Sequence, residues 1–253
     1  MRENVSLGVL MALFCFASAH AAEPADVGRC SFLHDEIMTA FSNPARALNE
    51  YNDFFDKVHI PEVVSRGIGF EGAQRFRVLA NMGLTPWMYL SVYGLERGNQ
   101  IAETGVKFRP GTAPAAPPAP YLAEGSVAWI LRRVATTAVR DSKRGVDCPT
   151  GQKVFVVIPQ AGGPELDIGG TLRSIPGLLS AERYDFSKST KGPAPAWTSA
   201  VLFRSSAAVD VSATLRRLGA VVGCAGGTCS EASGAVWVLE PQGDYVSRAD
   251  LEH

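Results

Sequence analysis

Histidine, cysteine and methionine are scarce in this chain, at four, five and five residues out of 253. Neither sign of charge dominates: 24 basic and 25 acidic residues leave a formal net charge of −1. A near-neutral chain gives no electrostatic footprint for nucleic acid or an anionic membrane surface, so neither is expected as a partner. Few, dispersed methionines remove the soft-ligand case for copper, and no histidine-cysteine group has the ligand count of a closed zinc site. A Gly-x-Ser-x-Gly nucleophile elbow is missing as well. Outside the first 22 residues only His34, His59 and His253 could serve as imidazole bases. His34 follows Leu33 in what reads as a helix and is expected at the surface or half-buried. No catalytic, cofactor-binding or metal-binding residue is assigned on this basis.

Long apolar runs are also lacking. The stretch Leu7–Phe16 is too short for a membrane span, which needs about 20 apolar residues. With Arg2 before it and the small-residue sites Ala17-Ser18-Ala19 or Ala19-His20-Ala21 after it, the segment resembles a secretory signal peptide. Glu3 is its one discordant residue. Residues 1–22 are therefore read as a signal, with no span left after cleavage and the mature chain in the periplasm or outside the cell. Cys15 would leave with the signal. Cys30, Cys148, Cys224 and Cys229 remain, an even number in an oxidising compartment. Their spacing favours Cys30–Cys148 and Cys224–Cys229. Loop entropy assigns about 4–5 kcal/mol to the long closure and less to the short one.

What is present falls into two kinds of sequence. The division lies at Val154–Ile158, five apolar residues closed by Pro159 and Gly162-Gly163, which read as a buried strand. Residues 30–147 carry apolar residues at helical spacing. A first helix presents Leu33, Ile37, Ala40 and Phe41. A second, capped by Asn43-Pro44, presents Leu48, Tyr51, Phe55 and Val58 and is stopped by Pro61. A third covers about Glu71–Met82 and ends at Gly83. A fourth opens at Thr85-Pro86 and is apolar almost all round from Trp87 to Tyr93. A fifth spans about Ser126–Ser142, after a proline-rich connection at 109–120.

Residues 153–240 alternate short strands with short helices: strands at 153–158, 180–186, 198–204, 220–223 and 235–240, helices at about 165–175 and 211–218. The echo between Thr171-Leu172-Arg173 and Thr214-Leu215-Arg216 suggests two related βαβ halves. The expected fold class is α+β: an N-terminal disulfide-closed helical bundle, then a small ferredoxin-like (split βαβ) α/β sandwich, then a tail at 241–253.

Candidate sites are few. Gly67-Ile68-Gly69-Phe70-Glu71-Gly72 satisfies G-x-G-x-x-G but lacks a solid strand before it and an acid about twenty positions on, so it reads as a turn. Gly162-Gly163-Pro164 precedes a helix whose own Glu165 and Asp167 already supply the negative charge. Cys224-x4-Cys229 reads as a small disulfide. Asp35, Glu36, Glu62 and Glu71 could supply the carboxylate pair of a glycan hydrolase, though no spacing singles out a pair. Trp87, Tyr89 and Tyr93 are read as core or, if exposed, as an interface anchor. The expectation is an exported, non-enzymatic binding protein of the inhibitor, immunity or envelope-adaptor kind, whose partner is another envelope or extracellular protein. The alternative is a cell-envelope glycan hydrolase.

Overall fold

The computed structural model describes residues 34–42, 48–83, 87–115, 126–138, 152–224, 229 and 234–252. The signal segment, Cys30, Cys148 and residues 116–120 of the proline-rich connection lie outside these residues. The elements in chain order are β1 (Glu36–Ser42), α1 (Leu48–Phe54), a π-helical stretch Phe55–His59, α2 (Ile60–Arg66), β2 (Phe70–Met82), β3 (Tyr89–Leu95), α3 (Ile101–Thr104) and β4 (Val127–Ala138). Then come β5 (Val154–Ile158), α4 (Ile168–Ser174), β6 (Leu178–Lys191), β7 (Ser199–Ser205), α5 (Val211–Val221), β8 (Ala235–Pro241), β9 (Val246–Ser247) and α6 (Arg248–Leu251). None of the described helices is long and apolar enough to cross a membrane.

Eight strands form one antiparallel sheet in the order β3-β1-β4-β6-β7-β5-β8-β2, and β2 pairs back onto β3. That pairing closes a barrel, while β9 adds to β2 at Gly72 and Ala73. Alternate residues of every strand point into the lumen. These include Ile37 and Phe41, Phe76, Leu90 and Val92, Trp129 and Leu131, Val154 and Val156, Tyr184, Leu202, and Trp237 and Leu239, all in one buried cluster. The residues between them face outward. In the first half Met38, Tyr93 and Ile130 pack beneath Ile60, Val63 and Val64 of α2. In the second half Phe155, Phe203 and Val238 pack beneath Leu172 of α4 and Leu218 of α5.

The expected helical bundle and separate sandwich are therefore corrected to a single barrel. Four of the five expected helices in residues 30–147 are strands β1, β2, β3 and β4. The reason is double burial. A strand covered by lumen on one face and helix on the other has no polar alternation, so its apolar residues match a helical stripe as well as a strand. β3 is the extreme case, with all seven residues buried. Only the helix after Pro44 survives, and Pro61 does not stop it. That proline sits in the first turn of α2, directly after the π-helical stretch, where a missing N–H is tolerated.

In the second half, strands and helices lie within a few residues of their expected places, except that Ala220 and Val221 belong to α5. They do not form their own sandwich. The edge of β6 pairs with β4 and the edge of β8 pairs with β2, so both edges of that sheet are used to join the first half.

Candidate functional site

The lumen is graded from one mouth to the other. All four tryptophans of the chain gather at one end. Trp129 and Trp237 are inward residues of β4 and β8. Trp87 precedes β3, and Trp197 closes the turn Pro193-Ala194-Pro195-Ala196 that leads into β7. Phe41 stands among three of them, with ring centroids 4.6 Å from Trp87, 5.1 Å from Trp129 and 5.7 Å from Trp237. Trp129 meets Trp87 at 5.6 Å and Trp197 at 5.4 Å, both edge to face. Edge-to-face contacts of this kind hold ring planes in fixed orientations. The turn is tied down by the Trp129 indole N–H, which donates to the Pro193 carbonyl at 2.9 Å.

These residues leave a cavity of about 310 Å³ at the mouth, walled by the four indoles with Val127, Ile158, Ala235 and the Pro193–Ala196 turn. Its lining contains no charged side chain. The Trp237 indole N–H is buried in this wall without a hydrogen-bond partner.

The other end is polar. Glu182 of β6 and Arg204 of β7 are buried inside the barrel, 2.6 Å apart. Burial pushes the Glu182 carboxyl above its ordinary range, and Arg204 opposes that shift. Tyr184, one inward position along β6, donates its hydroxyl to the His34 carbonyl at 3.0 Å. The His34 ring joins Glu71 through Nδ1 at 2.8 Å and Tyr245 through Nε2 at 2.9 Å. Burial lowers the His34 pKa from its ordinary value, against the raising effect of Glu71.

The four carboxylates considered for hydrolysis divide here. Asp35, Glu36 and Glu71 border one open groove of about 760 Å³, together with Arg97, Arg132 and Arg133. Glu62 lies elsewhere, bridged to Arg66 at 2.8 Å. Asp35 is held by Arg97 and Arg133, and its carboxyl is pulled below the ordinary range by hydrogen bonds from both. Glu36 is held by Arg132 at 2.9 Å and Asn99 at 2.7 Å. A general acid needs a raised pKa, and Asp35 has the opposite shift.

The remaining sequence candidates have plain positions. Tyr89 and Tyr93 are buried against the outer helices, at 3% exposure each, so they are wall residues and not an interface. Trp87 is partly buried in the cavity wall. Gly67 ends α2 and Gly72 lies within β2, so the G-x-G-x-x-G run leads into a strand. Gly162 and Gly163 form a turn before α4 whose Glu165 pairs with Arg183 at 2.6 Å. His59 is packed against Phe55 at 4.8 Å, and burial lowers its pKa. Cys224 and Cys229 are joined as a disulfide with Cα atoms 4.4 Å apart. Cys30 and Cys148 fall outside the described residues. Among the described residues no three His, Cys, Asp or Glu side chains are grouped to hold a metal ion.

Sequence reasoning missed Trp129, Trp197, Trp237 and Tyr245 as site residues. The tryptophans converge only in the barrel topology, which the local sequence patterns do not reveal.

No protein-family model matches the chain, and no curated protein matches it. Solved structures do. One, described as an anthrone oxidase-like protein, superposes with a TM-score of 0.50 at 11% identity, covering 84% of this chain and 92% of that one. Another, from Fusobacterium nucleatum subsp. nucleatum and provisionally described as a monooxygenase, gives 0.43 at 10% identity, covering 85% of this chain and 96% of that one. At such identity the first likeness is one of fold: the eight-stranded barrel with short helices outside it.

Proposed function

We propose that this chain is an exported binding protein whose barrel mouth takes a small, planar, apolar molecule. The observation that carries the reading is the convergence of all four tryptophans on one uncharged cavity of about 310 Å³. Small-molecule sites are concave, mostly apolar and on the order of 300–1,000 Å³, so the size falls at the small end of that range. Filling a barrel end for stability alone needs only aliphatic side chains with well-defined rotamers. Four indoles with their planes set by edge-to-face contacts instead present flat faces on which a ring can stack.

The test is a titration with N-phenyl-1-naphthylamine, a neutral apolar fluorophore, followed through tryptophan quenching and dye emission. Saturable binding is expected, and Trp197→Ala should weaken it about tenfold, which is about 1.4 kcal/mol. Trp197 lies in a turn and not in a strand, so its removal should leave the melting temperature nearly unchanged. Unsaturable binding, or equal affinity in Trp197→Ala, would reject the reading.

A further inference from the structure

We propose that Glu71, His34 and Tyr245 form a proton relay that makes the Tyr245 hydroxyl a reactive nucleophile toward small neutral acyl donors. The site is at the polar end of the barrel and does not depend on the tryptophan-lined mouth. Its three members come from three separate segments: His34 just before β1, Glu71 at the start of β2, and Tyr245 just before β9. His34 and Tyr245 are 211 positions apart in the chain, yet their side chains meet at 2.9 Å.

The backbone is shaped for the meeting. Gly72 and Gly94 face each other across the β2–β3 pair. A Cβ on Gly94 would overlap the His34 ring, and one on Gly72 would overlap the Tyr245 hydroxyl. Two facing glycines thus make a flat bed on which both rings lie, with planes 20° apart. The Tyr184 hydroxyl fixes the His34 backbone from inside the barrel.

The bonding pattern sets the direction of proton flow. An ionised carboxylate only accepts hydrogen bonds, so Glu71 requires the His34 proton on Nδ1. In the neutral imidazole Nε2 then carries the lone pair, and the Tyr245 O–H donates to it. This is the order of carboxylate, imidazole and hydroxyl found in nucleophile-base-orienter triads, which are recognised by geometry and role rather than by sequence position. The other charged groups acting on His34 are Arg133 and Asp35, of opposite sign to one another.

The step balances as follows. The Tyr245 oxygen forms a bond to the acyl carbon and its proton passes to His34 Nε2. The imidazolium is held by Glu71. The bond from acyl carbon to leaving oxygen breaks, and that oxygen departs with the electron pair. The donor is neutral rather than anionic because the neighbouring groove sets four carboxylates, Asp35, Glu36, Glu71 and Glu96, against three guanidinium groups, Arg97, Arg132 and Arg133, an excess of one negative charge that repels an anion.

The experiment uses the full chain and p-nitrophenyl acetate, reading p-nitrophenolate release and the acetylated peptide by mass spectrometry. One acetyl group on Tyr245 is expected, with none there in Tyr245→Phe. A positioned base contributes about 10²–10⁴-fold, so Glu71→Gln and His34→Ala should slow acetylation by about a hundredfold. Added imidazole should restore acetylation of Tyr245 in His34→Ala well beyond the acetylation it brings to the other tyrosines through free N-acetylimidazole, a selectivity that a merely structural histidine would not give. In the unsubstituted chain the rate should fall as pH drops through the His34 pKa, below its ordinary 6.5. Acetylation elsewhere than Tyr245, a rate unchanged in Glu71→Gln, a flat pH profile or failure of imidazole rescue would each overturn the proposal.

Discussion

The two halves of the barrel pass through the same order of elements, strand-helix-strand-strand-helix-strand, and each buries one arginine almost completely. They bury it on opposite faces of the sheet. Arg75 of β2 lies outside the barrel, beneath the first helical layer, 1% exposed. It donates to Asn52 at 2.8 Å and Asp56 at 3.0 Å and lies over the rings of Tyr51 and Tyr89 at 5.4 Å and 4.9 Å. Arg204 of β7 lies inside, bonded to the equally buried Glu182. The first arrangement spreads one charge over several partners, one of them part-exposed. The second sets charge against charge with little water nearby. A guanidinium can thus be accommodated in a core either beside neutral and aromatic groups with a part-exposed acid or against a fully buried carboxylate, and the two solutions differ in how badly they fail.

Glu182→Ala should be the most damaging of the substitutions considered. It leaves Arg204 buried without its carboxylate, and breaking one side of a buried pair costs about 3–5 kcal/mol. Urea denaturation measures this directly. Replacing both partners with apolar residues of similar volume should recover most of the loss, because the destabilisation comes from the stranded charge. A small effect of Glu182→Ala would mean that water reaches the lumen at this point.

The halves also differ in how legible they were. In the second half short apolar runs such as Val154–Ile158 are closed by Pro159 and glycines, and Asp167 and Asp210 cap the helices that follow the turns. Those local signals place its strands and helices well. In the first half the same architecture is written with long strands. β2 and β4 span 13 and 12 residues, and β3 is buried on both faces. Periodicity cannot separate such strands from buried helices, so the first half reads as a bundle and the barrel closure is hidden with it. The site suffered for the same reason. Trp129 and Trp237 become neighbours only when β4 and β8 line one lumen, and Tyr245 reaches His34 only after β9 joins β2. No local pattern encodes contacts between residues so far apart. The sequence around His34 reads as a helix, which hides its place at the barrel rim.

The outer arginine should be more forgiving. Asp56→Asn removes one charge from the Arg75 site but leaves Asn52 and two aromatic faces in place. Burial already raises the Asp56 carboxyl above its ordinary range, with Arg75 opposing. A part-exposed pair of this kind contributes about 1 kcal/mol or less, and thermal denaturation at neutral pH should show a loss of that size. A loss as large as that of Glu182→Ala would remove the distinction between the two halves.

The smallest effect is expected at the seam between them. Glu240 on β8 accepts from Arg77 of β2 at 2.8 Å and from Lys153, just before β5, at 2.7 Å. One carboxylate thus joins a first-half cation to a second-half cation. The Lys153 hydrogen bond, followed by that of Arg77, holds the Glu240 carboxyl below its ordinary value of 4.5, against partial desolvation. A folded-state pKa below the unfolded one means that the stabilisation is fully present above the unfolded value and is lost as pH falls through the folded one. Glu240→Gln should therefore cost about 1 kcal/mol or less at neutral pH, since the group is part-exposed and screened by solvent. The difference between the two proteins should shrink as pH falls below 4.5 and vanish once Glu240 is protonated in the folded state. Paired urea denaturations from neutral to acidic pH test this. A gap that persists into acid would place the effect in the packing of the side chain rather than its charge, and the two halves would then be joined at this point by β2–β8 pairing and not by an ion bridge.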